Sequence, residues 1–158
     1  MNRREILSAG VVPVRRFGPE MRFLILRCFS YWDFPKGETE PGEDPLNTAG
    51  REVVEETGLT DLDFRWGTSF VETPPYGRGK VARYYLAESP RGDVALGINP
   101  QLGFPEHQEY RWVTEAEAHA LLNDRVRAVL DWAVQRIGES PEAPAAGSIN
   151  RPPENRQP

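Results

Sequence analysis

Three glutamates, Glu52, Glu55 and Glu56, fall within five positions of a 158-residue chain, directly after Arg51. On an α-helix each residue turns about 100° from the last, so Glu55 and Glu56 stand roughly 60° to one side and 40° to the other of Glu52. All three carboxylates share one face. Like charges at i,i+4 cost roughly 0.2–0.5 kcal/mol per pair, so a purely structural helix gains nothing from the arrangement. A positive group belongs against that face. Hard cations such as Mg2+ take oxygen ligands and divide them between one or two carboxylates and a substrate phosphate. Gly37 lets a backbone carbonyl approach the same ion. Arg51, four residues before Glu55, is placed to hold its carboxylate by an ion pair. A solvated acidic helix face is the alternative that the glutamates alone leave open.

The spacing around the glutamates extends the pattern: Gly37, five residues, Glu43, seven residues, then Arg51-Glu52-Val53-x-Glu55-Glu56-x-Gly58-Leu59. This segment resembles the Nudix box, with every defined position matched. The resemblance implies a Nudix hydrolase: an α/β fold, the Nudix α/β/α sandwich around a mixed sheet. Such an enzyme cuts a nucleoside diphosphate linked to another group, using Mg2+ or Mn2+. It further implies Glu52, Glu55 and Glu56 as the metal-binding triad, with Glu52 also orienting or deprotonating water. Arg51 and Glu43 would support helix and loop.

Two further stretches narrow the likeness. "WDFPKGETEPGED" at 32–44 and "EHQEYRW" at 106–112 together resemble the asymmetrical diadenosine tetraphosphate hydrolases, in which a "PPKG" loop supplies a phosphate-binding lysine. Lys36 matches that lysine. Phe34 replaces the first proline, as in some bacterial RNA 5′-pyrophosphohydrolases, so that activity stands as the alternative, beside cleansing of the nucleotide pool. A catalytically silent Nudix-fold binding protein would carry a broken box, and this box is intact. Glu106 is the expected loop ligand or general base, with Glu109 competing and a plain surface glutamate as the ordinary alternative. His107 is expected to make a polar contact to substrate, because no second histidine has metal-ligand spacing; His119 is an exposed helix residue. The loop "PPYGRGK" adds Tyr76, Arg78 and Lys80, and "RYY" adds Tyr84. Aromatic faces stack on bases and cations meet phosphates. Core packing is the competing role for Tyr84 and Trp32, and the expected one for Trp66 and Trp132. "GRGK" lacks the spacing of a phosphate-binding P-loop.

The remaining elements must position these groups. Residues 6–16 and 21–28 read as strands joined by a turn at Gly18 and Pro19, the second a continuous apolar run. A Gly- and Pro-rich loop leads to the glutamate helix, capped by Asp44, opened by Pro45 and stopped at Gly58. Leu46, Ala49, Gly50, Val53 and Val54 form its packing face, with Gly50 expected to meet a strand closely. Residues 63–73 and 80–88 read as strands, and 110–113 as a short one. Thr114 and Glu117 form a capping box for a further helix, and an amphipathic helix ends at Gly138. The catalytic domain is thus expected over 1–138. Residues 139–158, with five prolines and few apolar residues, read as a disordered tail.

Composition sets outer bounds. A net charge of −5 lacks the basic footprint of a duplex DNA binder. The single cysteine, Cys28, excludes an intrachain disulfide and a multi-cysteine zinc site. The basic start followed by a short apolar run weakly resembles a signal peptide, but Pro13, Arg15 and Arg16 favour a first strand. No stretch approaches a membrane span. The expectation is a cytoplasmic protein, monomeric or weakly dimeric, acting on a nucleotide or dinucleoside polyphosphate.

Overall fold

The computed structural model of the chain describes residues 6–139. The catalytic helix and its loop are placed by one long central strand. This is β1 (Ile6–Phe17), followed by β2 (Glu20–Cys28), β3 (Tyr31–Asp33), β4 (Lys36–Glu38), α1 (Pro45–Thr57), β5 (Phe70–Glu72), β6 (Lys80–Glu88), β7 (Ile98–Asn99), β8 (Phe104–Pro105), β9 (Glu109–Val113), α2 (Glu115–Leu121) and α3 (Asp124–Gly138). The main sheet runs β3-β2-β1-β6-β5, with β9 added beside β2 and β4 beside β1. The β1–β6 pairing is parallel and the others antiparallel, so the sheet is mixed.

Period-two alternation divides the core. Val12, Val14, Phe23, Ile25, Ala82, Tyr84 and Leu86 point to the side covered by α2 and α3. Ala9, Val11, Leu24, Leu26, Tyr85 and Ala87 point to the side covered by α1. The result is the expected α/β/α sandwich. Both faces of β1, β2 and β6 are buried, which is why their sequences read as apolar runs.

β1 divides one edge between two partners. Val14–Phe17 pair with β2, while Ser8–Gly10 pair with β4. The chain between β3 and β4 crosses that edge, fixed where the Val11 amide donates to the Pro35 carbonyl at 3.1 Å. Lys36 and Gly37 are thereby delivered beneath α1.

α1 begins as its sequence demands. The Asp44 carboxylate accepts from the Leu46 amide at 3.1 Å, Pro45 opens the first turn, and Gly58 closes the helix at φ 77°. α2 carries the full capping box, with Thr114 and Glu117 exchanging hydrogen bonds.

Four expectations need correction. Val54 is exposed, because the buried stripe is Ala49, Val53 and Thr57, with Leu46 packed against it; Val54 lies roughly 100° around from Val53. A Cβ on Gly50 would meet nothing within 4 Å, so no strand approaches it. Only Phe70–Glu72 of the 63–73 stretch is a strand, with Asp63 in a lone bridge to Glu88. Between them the chain turns at Phe64–Gly67, which brings Trp66 into the α3 layer, where Arg136 holds its carbonyl. The loop at 29–44 contains β3 and β4, short strands whose Gly, Pro and acidic composition concealed them. No helix among the described residues is long and apolar enough to cross a membrane. The tail expected over 139–158 lies, beyond Glu139, outside the described residues, as do residues 1–5 of the expected domain.

Candidate active site

Arg51 organises the acidic face. Its Nε and Nη2 form a fork on Glu43, at 2.8 and 2.9 Å. Its Nη1 reaches Glu52 at 2.8 Å and Glu55 at 3.1 Å. Glu43 also accepts from the Glu40 amide at 3.0 Å, tying the loop to the helix. The Arg51 hydrogen bonds hold the Glu43 carboxyl down at about 2. One guanidinium thus locks loop and helix together, a task its rigid fork of donors suits and a lysine point charge does not.

Burial pushes Glu52 above the usual carboxylate range, with Glu55 adding to the rise against the hydrogen bond from Glu56 and the charge of Arg51. Burial pushes Glu56 up much further, reinforced by the charges of Glu52 and Glu106. Glu52 and Glu56 are neighbours whose charges oppose one another, so the more deeply buried Glu56 carboxyl is the one pushed toward its neutral form. Glu56 Oε1 is buried and has no hydrogen-bond partner among the described residues. A crowded carboxylate pair with an orphaned oxygen is a setting that a divalent cation would satisfy.

Gly37 completes the cradle. A Cβ there would lie 2.1 Å from Glu52 Cδ, so Glu52 packs directly on the glycine backbone. Glu55 is exposed and drawn toward Arg51. Among the described residues no three His, Cys, Asp or Glu side chains are grouped so as to hold a metal ion as they stand. The donor set fits a cation, with Glu52 and Glu56 in contact and Glu55 held aside.

Lys36 stands beside the carboxylates. Burial disfavours its charge, but Asp33, Tyr76 and Glu56 outweigh that and hold it above its ordinary value. Its Nζ lies 3.6 Å from Asp33. Asp33 in turn accepts from the Tyr84 hydroxyl at 2.8 Å. Tyr84 is fully buried, edge-on to Phe34, so it stacks on no base; its expected substrate contact is replaced by the orientation of Asp33. Asp33 was missed in the sequence. Its signal was an acid three positions before a lysine that a phosphate site needs buried.

The 106–109 loop separates its two glutamates. Glu106 is exposed, touches Asn99 Nδ2 at 3.3 Å and lies close enough to Glu56 to raise it. Glu109 accepts from Arg111 at 2.7 Å and Arg27 at 3.0 Å, which hold it ionised and occupied. His107 lies between Glu106 and Lys36, and burial pushes its imidazole below the ordinary value. It borders a groove of about 590 Å³ whose walls include Phe29, Leu96 and Phe104. Tyr76 is half-buried and closes a hairpin, exchanging backbone hydrogen bonds with Lys80 at 2.9 Å. Lys80 itself is exposed at the rim.

The far end of α1 is held by a segment that sequence reading left unassigned. The amides of Ala95 and Gly97 donate to the carbonyls of Thr57 and Glu56, at 3.0 and 3.3 Å. A Cβ on Gly97 would fall 1.8 Å from the Glu55 carbonyl oxygen. Only a glycine lets this strap pass so near the catalytic helix.

A sandwich that sets an acidic helix face beside a half-buried lysine suits the hydrolysis of phosphoric anhydrides. Residues 5–133 match the NUDIX domain, and the chain belongs to the Nudix family. It is similar to the asymmetrical bis(5′-nucleosyl)-tetraphosphatase of Rattus norvegicus, 32% identical over 131 residues, covering 77% of this chain and 84% of the relative. It is 26% identical over 121 residues to an RNA pyrophosphohydrolase of Shewanella sediminis, covering 68% of this chain and 69% of the relative. Among solved structures, a C. elegans Ap4A hydrolase binary complex superposes with a TM-score of 0.68 at 25% identity, over 83% of this chain and 98% of the other. The chain is therefore an enzyme, a Nudix hydrolase; hydrolases of this family act on nucleoside polyphosphates and generally use divalent metals.

Proposed function

We propose that this protein hydrolyses a dinucleoside polyphosphate, diadenosine tetraphosphate first among them, to ATP and AMP. Mg2+ or Mn2+ is the intended cofactor, held by Glu52 and Glu56, with Glu55, Glu106 and the Gly37 carbonyl completing the set. The observation that carries this reading is the placement of a charged, half-buried Lys36 beside the Glu52–Glu56 pair. The similarity to the asymmetrical tetraphosphatases supports the choice of substrate.

Bound at these carboxylates, a divalent ion supplies positive charge to phosphate oxygens and acidifies attacking water. The chain's own groups do the rest. Lys36 neutralises charge on a neighbouring phosphate as it develops. Water oxygen forms a bond to phosphorus while the bridging oxygen departs with its electron pair. The water proton passes to a carboxylate of the Glu52, Glu56 and Glu106 group. Tyr76, Lys80 and His107 border the path of the substrate, and the groove at Phe29 and Phe104 offers apolar walls to a base. A chain anchored at one end and drawn over a fixed carboxylate face is cut off centre. The enzyme would work in the cytoplasm, as a monomer or weak dimer, without duplex DNA.

A panel of nucleotides with Mg2+, read by product identity, tests this. ATP plus AMP from diadenosine tetraphosphate is expected. Two ADP per substrate would overturn the off-centre register. No cleavage of it, beside rapid pyrophosphate release from triphosphorylated RNA, would establish the alternative activity that the Shewanella relative represents.

A further inference from the structure

Arg125, near the start of α3, is a half-buried cation that no carboxylate among the described residues pairs with. Its guanidinium lies flat enough on Tyr76 to bring Cζ within 3.9 Å of the ring centroid. Its Nη1 is buried and makes no hydrogen bond among the described residues. An ionised donor left without a partner in a protein interior costs more than a neutral one. Neighbouring groups offer no relief. Asp33, the carboxylate of this region, is already divided between the Tyr84 hydroxyl and Lys36.

The order of charges along the cleft is informative. Lys36 feels both the negative charge of Glu56 and the positive charge of Arg125. Lys36 thus lies within electrostatic reach both of the acidic pair and of Arg125 with its Tyr76 support. A chain of phosphates is the anion that meets such a series: one phosphate at the carboxylate face with its cation, the next at Lys36, a further one beyond. The Tyr76 ring fixes the plane of the guanidinium, so its fork is set before an anion arrives.

We infer that Arg125, seated on Tyr76, is a phosphate-holding residue for a part of the substrate chain remote from the bond that breaks. Resting on the polyphosphate reading of the site, this assigns to Arg125 the selection of substrates with phosphates to spare beyond the cleaved linkage. The Tyr76 ring serves as its support, and at most its opposite face is left for a base.

The experiment uses the full chain with excess Mg2+ and inorganic tripolyphosphate as probe, its affinity measured by calorimetry for wild type, R125M and R125K. Losing a charge-assisted hydrogen bond should weaken tripolyphosphate by ~10-fold or more in R125M, and less in R125K, which keeps the charge. On the best substrate of the nucleotide panel, KM should rise in R125M by a similar factor with kcat nearly unchanged. The thermal midpoint without ligand should change little, since Arg125 is half-buried and its buried Nη1 makes no hydrogen bond among the described residues. A folded R125M with unchanged tripolyphosphate affinity would overturn the assignment. So would a loss of affinity that follows a fall in midpoint and that lysine does not partly restore. Should R125M fail to fold, R125K decides alone, with wild-type affinity overturning the assignment and a several-fold loss upholding it. Tripolyphosphate carries no nucleoside, so its binding is read independently of whether diadenosine tetraphosphate is the substrate cleaved.

Discussion

The carboxylate of Glu52 rests on the backbone of Gly37, with Cδ only 2.1 Å from where a Cβ would stand. This relationship explains why a glycine sits fifteen residues before a glutamate that it must touch: β4 passes under α1 with no room for a side chain. Gly37→Ala would push the Glu52 side chain, not the strand, because the carboxylate is the movable partner. We expect the fold to survive with a small change in thermal midpoint while kcat falls by ~10-fold or more, about 1.4 kcal/mol in barrier. A collapse of stability with full specific activity in the folded fraction would show that the glycine serves packing alone.

The raised Glu56 carboxyl yields a prediction of sign. Burial raises the Glu56 carboxyl well above its unfolded value, so the folded state binds the extra proton. Stability then falls as pH rises from the unfolded carboxylate value through the folded one. In metal-free buffer near neutrality, Glu56→Gln should therefore raise the thermal midpoint and flatten this dependence. The same variant should lose ~10²-fold or more in kcat, about 3 kcal/mol. Mg2+ should raise the midpoint of the wild type and raise that of the variant less. A lower midpoint for the variant in metal-free buffer would make the carboxylate structural.

Glu43 works with the opposite sign. Arg51 lowers its carboxyl to about 2, so its stabilising effect is complete above the usual carboxylate value of about 4.5 and is lost as pH falls toward 2. Glu43→Gln should remove that acid-side decline. Arg51→Lys should do the same and also lower kcat by ~10-fold, because an ammonium cannot hold Glu43, Glu52 and Glu55 together. Acid titrations of thermal midpoint for wild type and both variants check this; identical acid limbs would show that the fork contributes nothing.

What could be read in the sequence followed locality. Asp44, Pro45 and Gly58 delimit α1 by rules that involve only their near neighbours, and Thr114 with Glu117 does the same for α2. The ion pair of Arg51 with Glu55 was expected from their i,i+4 spacing and is present, whereas its fork on Glu43, eight residues away, was not read from spacing. Tyr84 was misjudged because its chemistry suits a base, whereas its burial is decided by β6 facing α3 across the sheet. Asp33 and Gly97 escaped notice for a related reason. Each acquires its role from a partner brought in by tertiary folding: Tyr84, 51 residues away, for Asp33, and the α1 carbonyls for Gly97. The alternation of β1, β2 and β6 was hidden because both faces are covered, which removes the polar half of the pattern.

The last prediction separates two glutamates that spacing alone left in competition. Glu109 is engaged by Arg111 and Arg27, both pairs holding it ionised and turned toward the β2–β9 ladder. Among the described residues the Glu106 side chain has Asn99 alone as a partner, and its charge reaches Glu56. A residue that handles a proton or a cation must be free to exchange partners, so the catalytic duty falls to Glu106. Glu106→Gln should lower kcat by ~10-fold or more and reduce the upward push on Glu56, moving the acidic limb of the pH–rate profile to lower pH. Glu109→Gln should leave kcat within about threefold, roughly 0.7 kcal/mol, and show its effect in stability at the sheet edge. Steady-state rates across pH for the two variants distinguish them. If Glu109→Gln proves the more damaging to kcat while its thermal midpoint is unchanged, the loop reorganises when substrate binds and the assignment of Glu106 is wrong.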